Sequence, residues 1–153
     1  MGMTRLEFLR CLGAGCIFVA IGAVVGCAGI PVYRAQVRGG RAALSEAEFD
    51  LLLEDREDEA VLVRPAGDYE AVILIRTSAR TYRAVSAVCT HQSCEVRFEH
   101  GGIRCPCHGS SFTLDGEVTR GPAKKPLPVY NVTVEEGLIQ IDLTRNISGA
   151  ASR

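Results

Sequence analysis

The sequence predicts an all-β domain, an antiparallel sandwich or barrel, preceded by one N-terminal membrane helix. Three observations predict it. Beyond residue 59, short runs rich in β-branched residues are separated by turn signals; residues 11–33 form a long apolar stretch; and four cysteines and two histidines crowd into two short segments between the runs. The chain has 153 residues, 47% of them apolar and 23% charged, which is about one ordinary domain once the apolar stretch is set aside. The net charge is −1, and no concentrated basic run of the kind that holds phosphates appears, so a nucleic-acid-binding function is excluded.

Residues 1–33 read as a signal or membrane anchor. From Cys11 to Tyr33 no charged residue occurs across 23 positions, and Arg10 and Arg34 flank the stretch. A helix of that length reaches roughly 34 Å, enough to cross a hydrocarbon core of about 30 Å. Thr4-Arg5-Leu6-Glu7-Phe8-Leu9-Arg10 resembles a twin-arginine export signal, with Leu6 where the second arginine would stand. Val24-Val25-Gly26-Cys27 resembles a lipoprotein cleavage box, which makes Cys27 a candidate for lipidation. A retained transmembrane anchor, a lipoprotein and a removed signal all place the soluble part outside the cytoplasm, at the periplasmic or outer face.

Residues 34–58 read as a linker and a short helix. Arg34, Arg38 and Arg41 with Gly39-Gly40 suggest a juxtamembrane linker. Ser45-Glu46-Ala47-Glu48 is a capping box, with Ser45 as N-cap and Glu48 three positions on, and it predicts a helix to about Glu54. Strands are expected at Ala60 to Val63, Ala71 to Ile75 and Tyr82 to Val88, separated by Pro65-Ala66-Gly67-Asp68 and Thr77-Ser78. A last pair, Val129 to Val134 and Leu138 to Leu143, is joined as a hairpin through Glu135-Glu136-Gly137. The β domain is expected over 59–145, with a C-terminal tail at 146–153.

The chemistry sits in Cys89-Thr90-His91-Gln92-Ser93-Cys94 and Cys105-Pro106-Cys107-His108-Gly109-Ser110. Thiolates and imidazoles at loop ends suit zinc or an iron–sulfur centre. A zinc site would use four of the six groups and leave two thiols, which an exported protein would tend to oxidise. On residue type alone, zinc with a disulfide and an iron–sulfur centre both stand.

The two segments resemble the paired boxes of the Rieske 2Fe–2S family, of the kind found in cytochrome bc complexes. The likeness runs from about Tyr82 to Leu143 and takes in Phe112, Asp115-Gly116 and Gly121-Pro122-Ala123. It implies a Rieske-type antiparallel sandwich with a small cluster-binding part at about 89–123. It implies one 2Fe–2S cluster, with Cys89 and Cys105 on one iron and His91 and His108 on the other. Cys94 and Cys107 would form a disulfide between the loops. Ser110 would donate its hydroxyl to a bridging sulfur, and Gly121-Pro122 would belong to a proline loop covering the cluster. Two neutral imidazoles in place of two thiolates leave the cluster less negative, which raises its reduction potential. Solvent-facing imidazoles also bring ionisable N–H groups that can couple proton to electron transfer.

The sequence departs from the family in three places. Gln92-Ser93 replaces an apolar residue followed by Gly; if that glycine takes a positive φ, Ser93 must strain or reshape the loop. Only 13 residues separate His91 from Cys105, a shortened loop. Phe112 stands where high-potential members carry a tyrosine that donates to a cysteine sulfur, which predicts a lowered potential.

The expected function is one-electron transfer as the iron–sulfur subunit of a membrane quinol–cytochrome c type oxidoreductase. Its partners would be a cytochrome b or other quinol-oxidising subunit and a c-type cytochrome or similar acceptor. The alternatives are an electron-relay subunit or lipoprotein of another exported oxidoreductase, such as a molybdenum enzyme, and a zinc-binding lipoprotein. The chain is not expected to be catalytic alone, and nothing in it supplies the second, mononuclear iron site of an aromatic-ring oxygenase. His100, Lys124 and Lys125 read as solvated turn and loop residues.

Overall fold

Residues 29–54 and 56–147 are described by the computed structural model. The expected membrane segment up to residue 28, with Cys27 and the export-like motif, lies outside the described residues, as does most of the tail. No helix among the described residues is long and apolar enough to cross a membrane.

The chain runs β1 (Val32–Ala35), β2 (Val37–Arg38), β3 (Arg41–Ser45), α1 (Glu46–Leu53), β4 (Ala60–Pro65), β5 (Val72–Ser78) and β6 (Thr81–Ser86). Four short strands follow: β7 (Arg97–Glu99), β8 (Gly102–Arg104), β9 (Ser111–Phe112) and β10 (Val118–Arg120). The hairpin of β11 (Val129–Glu135) and β12 (Leu138–Asn146) completes the fold.

Eight strands form one sheet in the order β1-β4-β5-β6-β11-β12-β3-β2. Its two edge strands, β1 and β2, are separated in the chain by Gln36 alone, so the edges must meet and the sheet is rolled. Of the expected sandwich or barrel the sheet takes one form, and it departs from all-antiparallel pairing at one edge. The rolled sheet is the barrel form, and β1 pairs with β4 in parallel, Val32 opposite Leu62 through Ala35 opposite Pro65.

The stretch 34–45, read as a linker, forms the second half of β1 together with β2 and β3. Ala35, Ala42 and Leu44 point inward while Arg34, Arg38 and Arg41 stay exposed, so the charges conceal a short period-two pattern. Helix α1 begins where the capping box places it. Ser45 Oγ accepts the Glu48 N–H at 3.1 Å and the Glu48 carboxylate accepts the Ser45 N–H at 2.7 Å. Phe49 and Leu53, four apart on one face, plug the rolled sheet, and Phe49 meets Tyr82 edge-to-face at 5.3 Å.

Most of β4, the first half of β5 and the second half of β6 are buried on both faces, which explains why β4 and β5 read as unbroken apolar runs. Val61, Val63, Val72, Leu74 and Ala84 line the inside of the roll with Ile139 and Ile141. Leu62, Ile73, Ile75 and Val85 face outward onto a second sheet, in the order β10-β9-β8-β7. Phe98, Ile103 and Phe112 form the inner row of that sheet and close a second core with Cys89, Cys105 and Leu127. The second core holds the two cysteine–histidine segments against the rigid outer face of the roll. Arg64 to Glu95 at 2.7 Å and Arg83 to Asp115 at 2.9 Å clamp the two parts at the surface.

Candidate metal centre

The two motif segments fold into matching loops. In the first, the Cys89 N–H donates to the Cys94 carbonyl (2.8 Å) and the Ser93 N–H donates to the Cys89 carbonyl (2.9 Å). In the second, the Cys105 N–H donates to the Ser110 carbonyl (2.8 Å) and the Gly109 N–H to the Cys105 carbonyl (3.0 Å). Each loop turns back through a residue with positive φ, Ser93 at 55° and Gly109 at 76°. Of the two outcomes open for Ser93, strain or a reshaped loop, the turn is kept and Ser93 takes the strained left-handed shape.

This double turn sorts the side chains by depth. Cys89 and Cys105 are buried, at 2% and 1% exposure, while His91 and His108 are exposed. The thiols of Cys89 and Cys105 meet side by side, and the rings of His91 and His108 lie 4.9 Å apart, near perpendicular. Burial raises the pKa of the Cys89 thiol and the adjacent Cys105 raises it further, while the His91 and Gln92 backbone N–H groups aimed at its sulfur oppose this. Those amides favour the thiolate a metal requires.

Cys94 and Cys107 are joined by a disulfide, closing one loop onto the other across a sequence separation of 13. The sulfur of Cys105 lies within 4.8 Å of both disulfide sulfurs, but bonded sulfurs are not thiolate donors. Among the described residues the donors left at the site are Cys89, Cys105, His91 and His108. Two buried thiols in contact and two exposed imidazoles in contact suit a pair of metal ions with unlike ligands, so the residues fit a 2Fe–2S cluster.

The third wall is the segment after β10, tied to both loops. The Thr90 hydroxyl donates to the Lys125 carbonyl at 2.6 Å, and the Ala123 N–H donates to the fully buried Ser110 Oγ at 3.0 Å. That bond uses Ser110 as an acceptor and leaves its O–H to donate elsewhere. Gly121 and Pro122 sit exposed at the start of this segment, and Phe112 is buried beneath it at 3% exposure, with no hydroxyl to offer. Gly116 (φ 82°) seats the far end, since a Cβ there would stand 2.7 Å from the Leu127 carbonyl. Sequence reasoning missed Thr90 and Ala123 as the residues that fasten this wall. Thr90 lay inside the first motif, but its partner is 35 residues away.

Fold and site together define a β domain that carries two buried thiols and two exposed imidazoles on two disulfide-linked loops. The Rieske [2Fe-2S] domain family matches residues 53–131, more than half of the chain. The cytochrome b6-f complex iron-sulfur subunit of Synechococcus sp. (strain CC9605) is 34% identical over 145 residues, covering 88% of this chain and 82% of that protein. The corresponding subunit of Chlorobaculum tepidum is 37% identical over 73 residues, covering 46% of this chain and 40% of that protein. A chain from the complex of reduced oxygenase and oxidized ferredoxin in carbazole 1,9a-dioxygenase shares the fold, with a TM-score of 0.50 at 21% identity over 65% of this chain and 92% of its own. The chain belongs to the Rieske 2Fe–2S family, and its cofactor is a 2Fe–2S cluster.

Proposed function

We propose that this chain is a one-electron carrier of a membrane quinol-oxidising complex, in which Cys89 and Cys105 hold one iron of the cluster and His91 and His108 the other. The observation that carries the reading is the division by depth: both thiols are buried and touch, and both imidazoles are exposed and touch. When bound, the cluster takes up and gives up a single electron, at a higher potential than four thiolates would allow.

The chain's residues arrange the rest. The buried cysteines would hold their iron away from water, and the disulfide with the Ser110 and Thr90 bonds ties the loops together. The exposed imidazoles offer N–H groups as hydrogen-bond donors to a bound quinol or to an acceptor. Family membership favours this cluster over the zinc alternative, which leaves the electron-relay subunit of another exported oxidoreductase as the second reading. The buried Phe112 ring, with no hydroxyl at the site, supports a potential below that of a high-potential quinol-oxidising homologue and so bears on that second reading.

The partners consistent with this reading are a cytochrome b or other quinol-oxidising subunit and a c-type cytochrome or similar acceptor. Residues 1–33 would serve as the anchor, whether spanning the membrane or lipidated at Cys27, with the β domain on the extracytoplasmic side. Electron paramagnetic resonance of the dithionite-reduced full chain tests the assignment. The low average g-value of mixed Cys/His ligation is expected, and it should be lost in His91→Ala and His108→Ala. A purified chain without iron and acid-labile sulfide overturns it.

A further inference from the structure

The four-stranded sheet has an outer row as ordered as its inner one. Register places Arg97 opposite Arg104, Arg104 opposite Ser111, and Ser111 opposite Arg120. Directly paired residues share a face, so the arginines of β7, β8 and β10 project from one side with the small Ser111 between them. At strand spacings of about 4.8 Å the row is about 14 Å wide.

The third arginine joins the row only through an irregularity. β10 pairs Val118 with Phe112 and then Arg120 with Ser111, so Thr119 is an extra residue in the ladder. Bulges of this kind re-aim a side chain, and here the re-aimed side chain is Arg120.

All three arginines are exposed, and none has an ion-pair partner among the described residues. Four other arginines among the described residues are paired: Arg64 with Glu95, Arg76 with Asp50 and Glu59, Arg80 with Glu46, and Arg83 with Asp115. Like charges directly opposite across strands oppose stability. The carboxylate on the same face, Glu99, stands two residues from Arg97 and opposite Gly102, off the row.

We propose that this row is a docking surface for an acidic patch on the protein that exchanges electrons with the cluster. Arg104 is bonded to Cys105, and a cleft of about 220 Å³ lined by Glu99, Arg104, Cys105, Pro106 and Gly109 joins the row to the second motif loop. A partner seated on the arginines therefore lies against the backbone of a cluster-binding loop. A bilayer fits the face less well, because membrane-surface sites pair cations with exposed apolar side chains. The large exposed apolar residues among those described are Val32, Leu51, Tyr69, Leu138 and Ile147, none of them on this sheet. The partner's identity as an electron partner rests on the proposed function; the surface itself does not.

The test uses the full chain in an uncharged detergent, with a fluorescently labelled polyglutamate peptide as probe and anisotropy as readout. Wild-type binding is expected to weaken steeply as salt rises from about 20 to about 200 mM. Arg97→Gln/Arg104→Gln/Arg120→Gln should weaken binding at low salt at least about tenfold. Arg34→Gln/Arg38→Gln/Arg145→Gln, an equal charge change on the rolled sheet, should alter it less than about twofold. Should the first triple variant fail to fold, Arg120→Gln alone is expected to give about a threefold loss. Equal loss in both triple variants shows that only net charge matters and overturns the proposal. So does binding to phosphatidylglycerol vesicles through the row with no binding of the peptide. The paramagnetic signal of the cluster is read on the same samples, so a failure of the electron-carrier reading stays distinct from a failure of this one.

Discussion

Ser93 and Gly109 hold the same place in two copies of one turn: each follows a buried cysteine by four residues, has positive φ, and donates its N–H to that cysteine's carbonyl. Only Gly109 takes this shape without the steric penalty on an L side chain. A Cβ at Gly109 would meet nothing within 4 Å, so substitution there is opposed by backbone conformation alone. Ser93→Gly is therefore expected to stabilise the domain by about 1 kcal/mol and Gly109→Ser to destabilise it by a similar amount. Thermal unfolding of the two variants and their double mutant checks this; a stabilised Gly109→Ser would contradict it.

Phe112→Tyr should raise the midpoint potential. Phe112 packs between Ile103 and Val118 across the small sheet, on the side that faces Cys89 and Cys105. A phenol O–H that donates to a cysteine sulfur stabilises the more negative, reduced cluster. If that bond is worth about 1.4 kcal/mol, a one-electron couple shifts by about 60 mV. Redox titration of the two proteins decides it, and an unmoved midpoint refutes the role given to position 112.

The sequence made the motif loops legible because their ligand types lie close together in the chain. Helix α1 was legible for the same reason, since its cap is four consecutive residues, and β4 and β5 announced themselves as β-branched runs. The small sheet was not legible. Arg97-Phe98-Glu99 and Gly102-Ile103-Arg104 each place one apolar residue inward, too short a pattern to register as a strand. β1 to β3 were hidden by their outward arginines. The bonds that complete the site, Thr90 to Lys125 and Ala123 to Ser110, join residues 35 and 13 apart, a distance no local pattern spans.

Removing the disulfide should loosen the cluster before it unfolds the domain. Cys94 and Cys107 belong to different loops, and the roll beneath has its own core. In the chain-entropy account a cross-link of this loop length contributes about 3 kcal/mol. Cys94→Ala/Cys107→Ala is expected to lower the unfolding free energy by about that amount and to lose its visible cluster absorbance at a lower temperature than its β-sheet circular dichroism. Simultaneous loss of both signals would show that the two cores do not separate.

The capping box makes a prediction about pH. The Ser45 backbone N–H, and after it the Ser45 hydroxyl, hold the Glu48 carboxyl below its ordinary range, and the Tyr33 hydroxyl adds a third donor at 3.3 Å. A carboxyl whose pKa is lower folded than unfolded binds fewer protons in the native state. Its stabilising contribution is therefore complete above the unfolded value, near 4.5, and disappears as pH falls through the lower folded value. Ser45→Ala should lower stability by about 1 kcal/mol at neutral pH. The difference in melting temperature between wild type and Glu48→Gln should be constant from pH 7 to about pH 5 and shrink below that. A difference that persisted at pH 2 would show that Glu48 acts through packing rather than through its charge.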